Sequence, residues 1–127
     1  MRYSFVCPPP RLLVLALLVV AATGCQRTAR DLSLDETQAR DACKTVLEAW
    51  QAGQSPEQLK PGIIASDYAW ADGKTLVAFE FLPGEKSDGT NLHIPVKLTL
   101  SGGNGKESTS KATYTVGTDP VVTVIRD

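Results

Sequence analysis

Apolar positions along the chain fall into three regimes. Residues 12–22 form an unbroken run of 11 apolar side chains. Over residues 33–53 the apolar positions recur at spacings of three and four. Ala39, Ala42, Cys43, Val46, Leu47 and Trp50 make one stripe, with Gln38, Arg40, Asp41, Lys44, Glu48 and Gln51 between them. That period predicts an amphipathic helix. Ser33 with Glu36 three residues on matches a capping box, Asp35 adds acid to the first turn, and Gly53 suits the position just past the last turn. A short second helix is expected next, with Ser55 as cap, Pro56 at its first position and Gln58 closing a second box, ended by Pro61-Gly62.

From Gly62 the period changes to two. Residues 63–66 read as a short strand and 67–73 as a bend or loop. Residues 75–82 read as a strand with Val77, Phe79 and Phe81 under the helix and Leu76, Ala78, Glu80 and Leu82 on the other face. Pro83-Gly84 and Asp88-Gly89 punctuate the following connection. Residues 91–100 alternate cleanly, with Leu92, Ile94, Val96, Leu98 and Leu100 inward and His93, Pro95, Lys97 and Thr99 outward. Pro95 has no N–H to donate, which favours an edge strand or a bulge. Gly102-Gly103-Asn104-Gly105 predicts a hairpin turn into a strand over 106–116, and a last strand is expected over 121–125. Two helices followed by four or five antiparallel strands make an α+β layer fold, with the helix stripe buried on one sheet face. Thr109, Lys111, Thr113, Thr115 and Thr123 belong to the solvated face. No internal repeat is expected.

The apolar run near the start has a separate meaning. As a helix, 11 residues rise only about 16 Å, against a hydrocarbon core of about 30 Å, so the run is too short to span a bilayer. Arg2 and Arg11 supply positive charge around it, and Thr23-Gly24 leads with small residues into Cys25. This is the layout of an export signal. Ala22-Thr23-Gly24-Cys25 resembles the lipobox of bacterial lipoproteins, with Ala22 where that family prefers Leu. The resemblance implies removal of residues 1–24, a diacylglycerol thioether on Cys25 and acylation of the freed amine. It leaves residues 25–32 as lipidated cysteine and tether, and 33–127 as one domain. Two or three acyl chains give stable anchoring. The six residues from Gln26 to Asp31 reach about 20 Å extended, so the domain stays close to the bilayer surface. Gln26 stands where an Asp would resemble the inner-membrane retention signal, which favours an outer membrane in a cell that has one; the expected location is the cell membrane or outer membrane, with the domain on the exported side.

The chain has 127 residues, 43% apolar and 21% charged, which is ordinary globular composition. Loss of Arg2 and Arg11 with the signal takes the formal net charge from −1 to −3. That balance provides no basic stripe for nucleic acid. Cys7 leaves with the signal and Cys25 is lipidated, so Cys43 stands alone, with no partner for an internal disulfide, as a buried small apolar side chain.

Candidate chemistry is sparse. One His, no HxxH, no CxxC and no EF-hand loop argue against a metal, and no cofactor is expected. His93 is the conventional general base, but its parity directs it to solvent without a second base or nucleophile nearby. Glu80 would become a base only if its strand face lined a cavity. Trp50, Tyr68 and Trp70 could form an aromatic ligand wall, with Trp50 also continuing the helix stripe into the core.

The element order over residues 33–126 resembles the cystatin-like and NTF2-like superfold, in which a leading helix packs on a curved antiparallel sheet. NTF2-like enzymes place Asp and His in the cavity between helix and sheet. His93 faces the other way, so the resemblance implies no catalytic residue here. Asp67 to Trp70, Gly73, Leu76, Asp88 to Leu92 and Tyr114 to Val122 are also similar to short bacterial lipoproteins that bring no known activity. The reading is an exported, lipid-anchored, non-enzymatic domain that binds a protein or small ligand at the envelope. The alternatives are a small-cavity enzyme of hydrolase or isomerase type using Glu80 or Asp67, and a structural subunit of an envelope assembly.

Overall fold

A computed structural model describes residues 33–127. The expected signal segment, Cys25 and the tether lie outside the described residues. Helix α1 spans Glu36–Gln51, and its stripe of Ala39, Ala42, Cys43, Val46, Leu47, Ala49 and Trp50 is buried. Its N-cap is Asp35 and not Ser33: Asp35 Oδ1 accepts from Gln38 N at 2.9 Å. A carboxylate both satisfies the free N–H and complements the positive end of the helix dipole, which a serine hydroxyl does not. Asp35 N in turn donates to Thr118 Oγ1 at 3.0 Å, so the helix entry is tied to the far end of the sheet. A single 3-10 turn, Pro56–Leu59, follows, with Ser55 N donating to Gln58 Oε1 at 2.8 Å.

The remaining elements are β1 (Ile63–Ser66), α2 (Tyr68–Ala71), β2 (Thr75–Phe81), β3 (Lys86–Ser87), β4 (Asn91–Ser101), β5 (Glu107–Gly117) and β6 (Val122–Arg126). They form an α+β arrangement around a curled, mixed sheet of order β1-β6-β5-β4-β2, with β3 also on β4. The expectation of four or five antiparallel strands is corrected on two counts. The sheet has six strands among the described residues, and β1 runs parallel to β6, pairing Ile63 with Val122 through Ser66 with Ile125. After β1 the chain crosses by α2 to the opposite edge, and β6 returns to lie between β1 and β5. Alternation records which face a residue takes, not which way its strand runs.

Three local expectations are also corrected. Residues 67–73 hold a one-turn helix, because Asp67 caps it and Ala69 and Trp70 bury their side chains. Strand β2 carries a bulge between Leu76 and Ala78, which pair with the adjacent residues Leu100 and Thr99. The extra residue, Val77, reverses the parity, so Leu76 is buried while Val77 is exposed; Phe79 and Phe81 stay opposite Leu98 and Val96, but Phe79 is only half-buried and Phe81, expected under the helix, is exposed. Gln51 Nε2 on α1 donates to the bulge carbonyl of Val77 at 2.8 Å. Finally, Pro95 sits in a central strand. Its carbonyl accepts from Leu82 N at 2.9 Å where β2 ends, so its nitrogen faces the gap between β2 and β3 and costs no ladder bond to β5.

The core lies between α1 and the sheet, filled by Leu76, by Leu92, Ile94, Val96, Leu98 and Leu100 of β4, and by Ala112, Tyr114, Val116 and Val124. Among the described residues no helix is long and apolar enough to cross a membrane.

Candidate functional site

The three aromatic residues proposed as one wall separate into two places. Trp50 and Trp70 stack, with ring centroids 5.7 Å apart and planes 15° from parallel. Each indole is also bonded to the chain beyond the other's helix. Trp50 Nε1 donates to Lys74 O at 2.8 Å, and Trp70 Nε1 donates to Gln54 O at 3.0 Å. The exchange rests on a short repeat: Ala49-Trp50-x-x-Gly53 recurs as Ala69-Trp70-x-x-Gly73. Gly53 and Gly73 have φ of 81° and 83°, and each ends its helix with the same pair of backbone bonds. The pair borders an open groove of about 420 Å³. With 2% and 8% of their surfaces exposed and both N–H groups used, the indoles clasp α1 to α2 and offer no free face.

Tyr68 belongs to a different opening. It is 61% exposed, and the Arg126 guanidinium carbon stands 4.3 Å from its ring centroid. Arg126 closes β6 on the core-facing parity of Val122 and Val124, and its Nη1 donates to Asp67 Oδ1 at 3.3 Å. Asp67 is the buried charged residue of the core, positioned where β1 hands over to α2. Its Oδ1 also accepts from Ala69 N at 2.8 Å and Trp70 N at 3.3 Å, and its Oδ2 accepts from the buried Tyr114 hydroxyl at 2.5 Å. Burial, then the hydrogen bond to a carboxylate, raises the Tyr114 phenol above its ordinary value. The Asp67 side chain is 2% exposed and four donors converge on it, so it is committed to holding β1, α2, β5 and β6 together. Beside this network a cleft of about 330 Å³ opens between the 3-10 turn and α2, lined by Glu57, Ser66, Asp67, Tyr68 and Arg126 among others.

Glu80 lies far from both openings in register. The bulge puts it with Ala78 on the outer face, exposed and paired across the ladder with Lys97, not beside Leu76. His93 is on the outer face as expected, but it is not alone. Nε2 lies 2.9 Å from Asp88 Oδ2 and Nδ1 lies 3.1 Å from Thr115 Oγ1, which itself donates to Asp127 Oδ1 at 2.5 Å. Asp88 also accepts from Asn91 N at 2.7 Å and Thr90 N at 2.9 Å. The Asn91 N–H, followed by His93 and the Thr90 N–H, holds this carboxyl down at about 2. A depressed folded value supports the turn above about pH 4 and withdraws that support as the pH falls toward 2. The row links the β3–β4 turn to β5 and the residue after β6.

Sequence reasoning missed Arg126, Tyr114 and Asp88 as partners. A signal existed for the first: continuing the β6 alternation places an arginine on the core face, where a charge needs a carboxylate. Among the described residues no three His, Cys, Asp or Glu side chains gather to hold a metal. Cys43 is free and buried; burial, then the charge of Glu85, pushes its thiol up to about 12. No protein-family model, curated protein or solved structure matches the chain.

Proposed function

We propose that this chain is an exported, lipid-anchored domain that binds a ligand at the cell envelope through the cleft between the 3-10 turn and α2. The observation that carries the binding reading is Arg126: a side chain only 6% exposed, held by Asp67 and Tyr68, yet bordering an open cleft of about 330 Å³. A charge held in place at the edge of a cleft is the kind of polar group that orients a ligand. Anchoring rests on Ala22-Thr23-Gly24-Cys25 and the charged, short apolar segment before it. The packing of α1 across a curled sheet is what supports a cystatin-like or NTF2-like reading, with the parallel β1 as a departure from it. The enzyme alternative draws little from its two carboxylates, since Asp67 is enclosed by donors and Glu80 stands exposed opposite Lys97.

Two experiments test this reading. Cys25→Ser should prevent maturation and release the protein from the membrane fraction; a variant that still matures and partitions into detergent like the parent refutes lipidation. A photo-reactive phenylalanine analogue at Tyr68 should capture a ligand in intact cells, whereas the same probe at Thr109, on the outer face, should not. Equal capture at both positions, or none at Tyr68, refutes the cleft as the binding surface. Capture of one stoichiometric envelope protein over a broad face would instead favour the structural subunit.

A further inference from the structure

We propose that the ligand group received by this cleft is a carboxylate, held by the Nε and Nη2 edge of Arg126; the inference rests on the reading of the cleft as the binding surface. The guanidinium is fixed before any ligand arrives. Asp67 Oδ1 engages Nη1 at 3.3 Å, and the Tyr68 ring covers one face with its centroid 4.3 Å from the central carbon. Neither contact uses Nε or Nη2, which have no hydrogen-bond partner among the described residues. No side-chain nitrogen or oxygen sealed from solvent lacks a partner among them either. These two groups therefore keep some access to solvent, and Arg126 is among the residues that line the cleft.

The Nε–Nη2 edge presents two parallel, coplanar N–H groups, a spacing that matches the two oxygens of one carboxylate. A guanidinium already immobilised loses little entropy on accepting such a ligand, and its bonds are stronger at a partly desolvated site than in water. Local charge selects among anions. Asp67 balances Arg126, and at the rim Glu57 is paired with Lys60 at 3.1 Å. A phosphate dianion would bring two charges to a cation that Asp67 already offsets and meet Glu57, where a carboxylate brings one. The planar monoanion also matches the two coplanar donors of this edge. Ser66 lines the same cleft.

The test uses the mature lipidated protein in detergent micelles, labelled with 15N-arginine. Of the chain's six arginines, Arg2 and Arg11 leave with the signal, so four Nε–H resonances arise, and Arg126→Lys identifies the relevant one. Sodium acetate is titrated at constant ionic strength against sodium chloride, with acetamide and inorganic phosphate as comparison probes. The expected result is a saturable shift of the Arg126 Nε–H with a millimolar midpoint for acetate, none for acetamide, and a midpoint at least tenfold weaker for phosphate. Glu57→Gln, which removes a like charge from the exposed rim, should tighten acetate by about two- to fivefold. Arg126→Lys keeps a cation opposite Asp67 but lacks the fork, and should abolish saturable perturbation of backbone amides in α2. An unmoved Arg126 resonance, equal response to acetamide or phosphate, or acetate perturbation of α2 that survives Arg126→Lys overturns the proposal. If the Tyr68 photoprobe still captures a ligand in that event, the cleft remains the binding surface and its chemistry is other than carboxylate.

Discussion

Tyr114→Phe isolates one bond in the network that joins β1, α2, β5 and β6. The phenol is 1% exposed and its hydroxyl donates to Asp67 Oδ2 at 2.5 Å. Phenylalanine retains the ring, so apolar burial is unchanged and the void left is a single oxygen. What is lost is a hydrogen bond to an ionised group, worth about 1.5–3 kcal/mol, and Asp67 Oδ2 is left without a donor where water barely reaches. A loss of about 2–3 kcal/mol is expected, a large part of the roughly 5–15 kcal/mol that holds a domain together. The midpoint of thermal unfolding should fall by roughly 10–20 °C for a domain of this size. Urea unfolding followed by Trp50 and Trp70 fluorescence measures the loss directly, with an unchanged denaturant slope if the folded state stays intact. The pH dependence supplies a second reading. The folded phenol lies above its ordinary value, so its contribution is complete below about pH 10 and is lost as the pH rises beyond that. The gap between parent and Tyr114→Phe should therefore narrow above pH 10. A loss under about 0.5 kcal/mol, or a gap that stays constant to pH 11, refutes the assignment of Tyr114 as a donor to Asp67.

Two further outcomes follow from buried groups. Trp50→Ala should cost about 3–5 kcal/mol, and combining it with Trp70→Ala should cost less than the sum, because each indole is the other's stacking partner; strict additivity in urea melts would contradict the clasp. Cys43, 0% exposed with its thiol pushed up to about 12, should resist iodoacetamide at pH 8.5 except at the rate of unfolding, as peptide mass mapping would show. Because its folded value is raised, the stability tied to that thiol is complete below about pH 9 and lost between about 9 and 12, and Cys43→Ala should flatten that alkaline limb.

Much of this fold can be read from periodicity. The stripe from Ala39 to Trp50 identifies α1, and the apolar alternation from Leu92 to Leu100 identifies β4 and its inner face, because one buried side imposes each pattern; Pro95, expected outward, is nonetheless buried. Two kinds of information escape it. A bulge shifts parity by one residue without any mark in the sequence, which is why Val77 and Leu76 exchange faces and Glu80 leaves the company of Leu76. Partnerships between distant residues escape as well. Asp67 looks like a loop acid until Tyr114 and Arg126 arrive, and His93 looks solitary until a turn brings Asp88 back to it. The aromatic residues were visible as a set, but their division into a Trp50–Trp70 clasp and an exposed Tyr68 depends on the reciprocal indole bonds.

The insertion of β6 between β1 and β5 sets an order of events for a chain that emerges from one end. Ile63 pairs with Val122, and Asp67 meets Arg126 across the same 59 positions. Before β6 exists, β1 has no strand to lie against and Asp67 has no counter-charge, so α2 is held only by the Trp50–Trp70 clasp to α1. Residues 63–73 must wait in an open state while α1, β4 and β5 are already able to collapse locally. Such a late keystone keeps residues 63–73 slack until β6 arrives, and only then does the sheet lock.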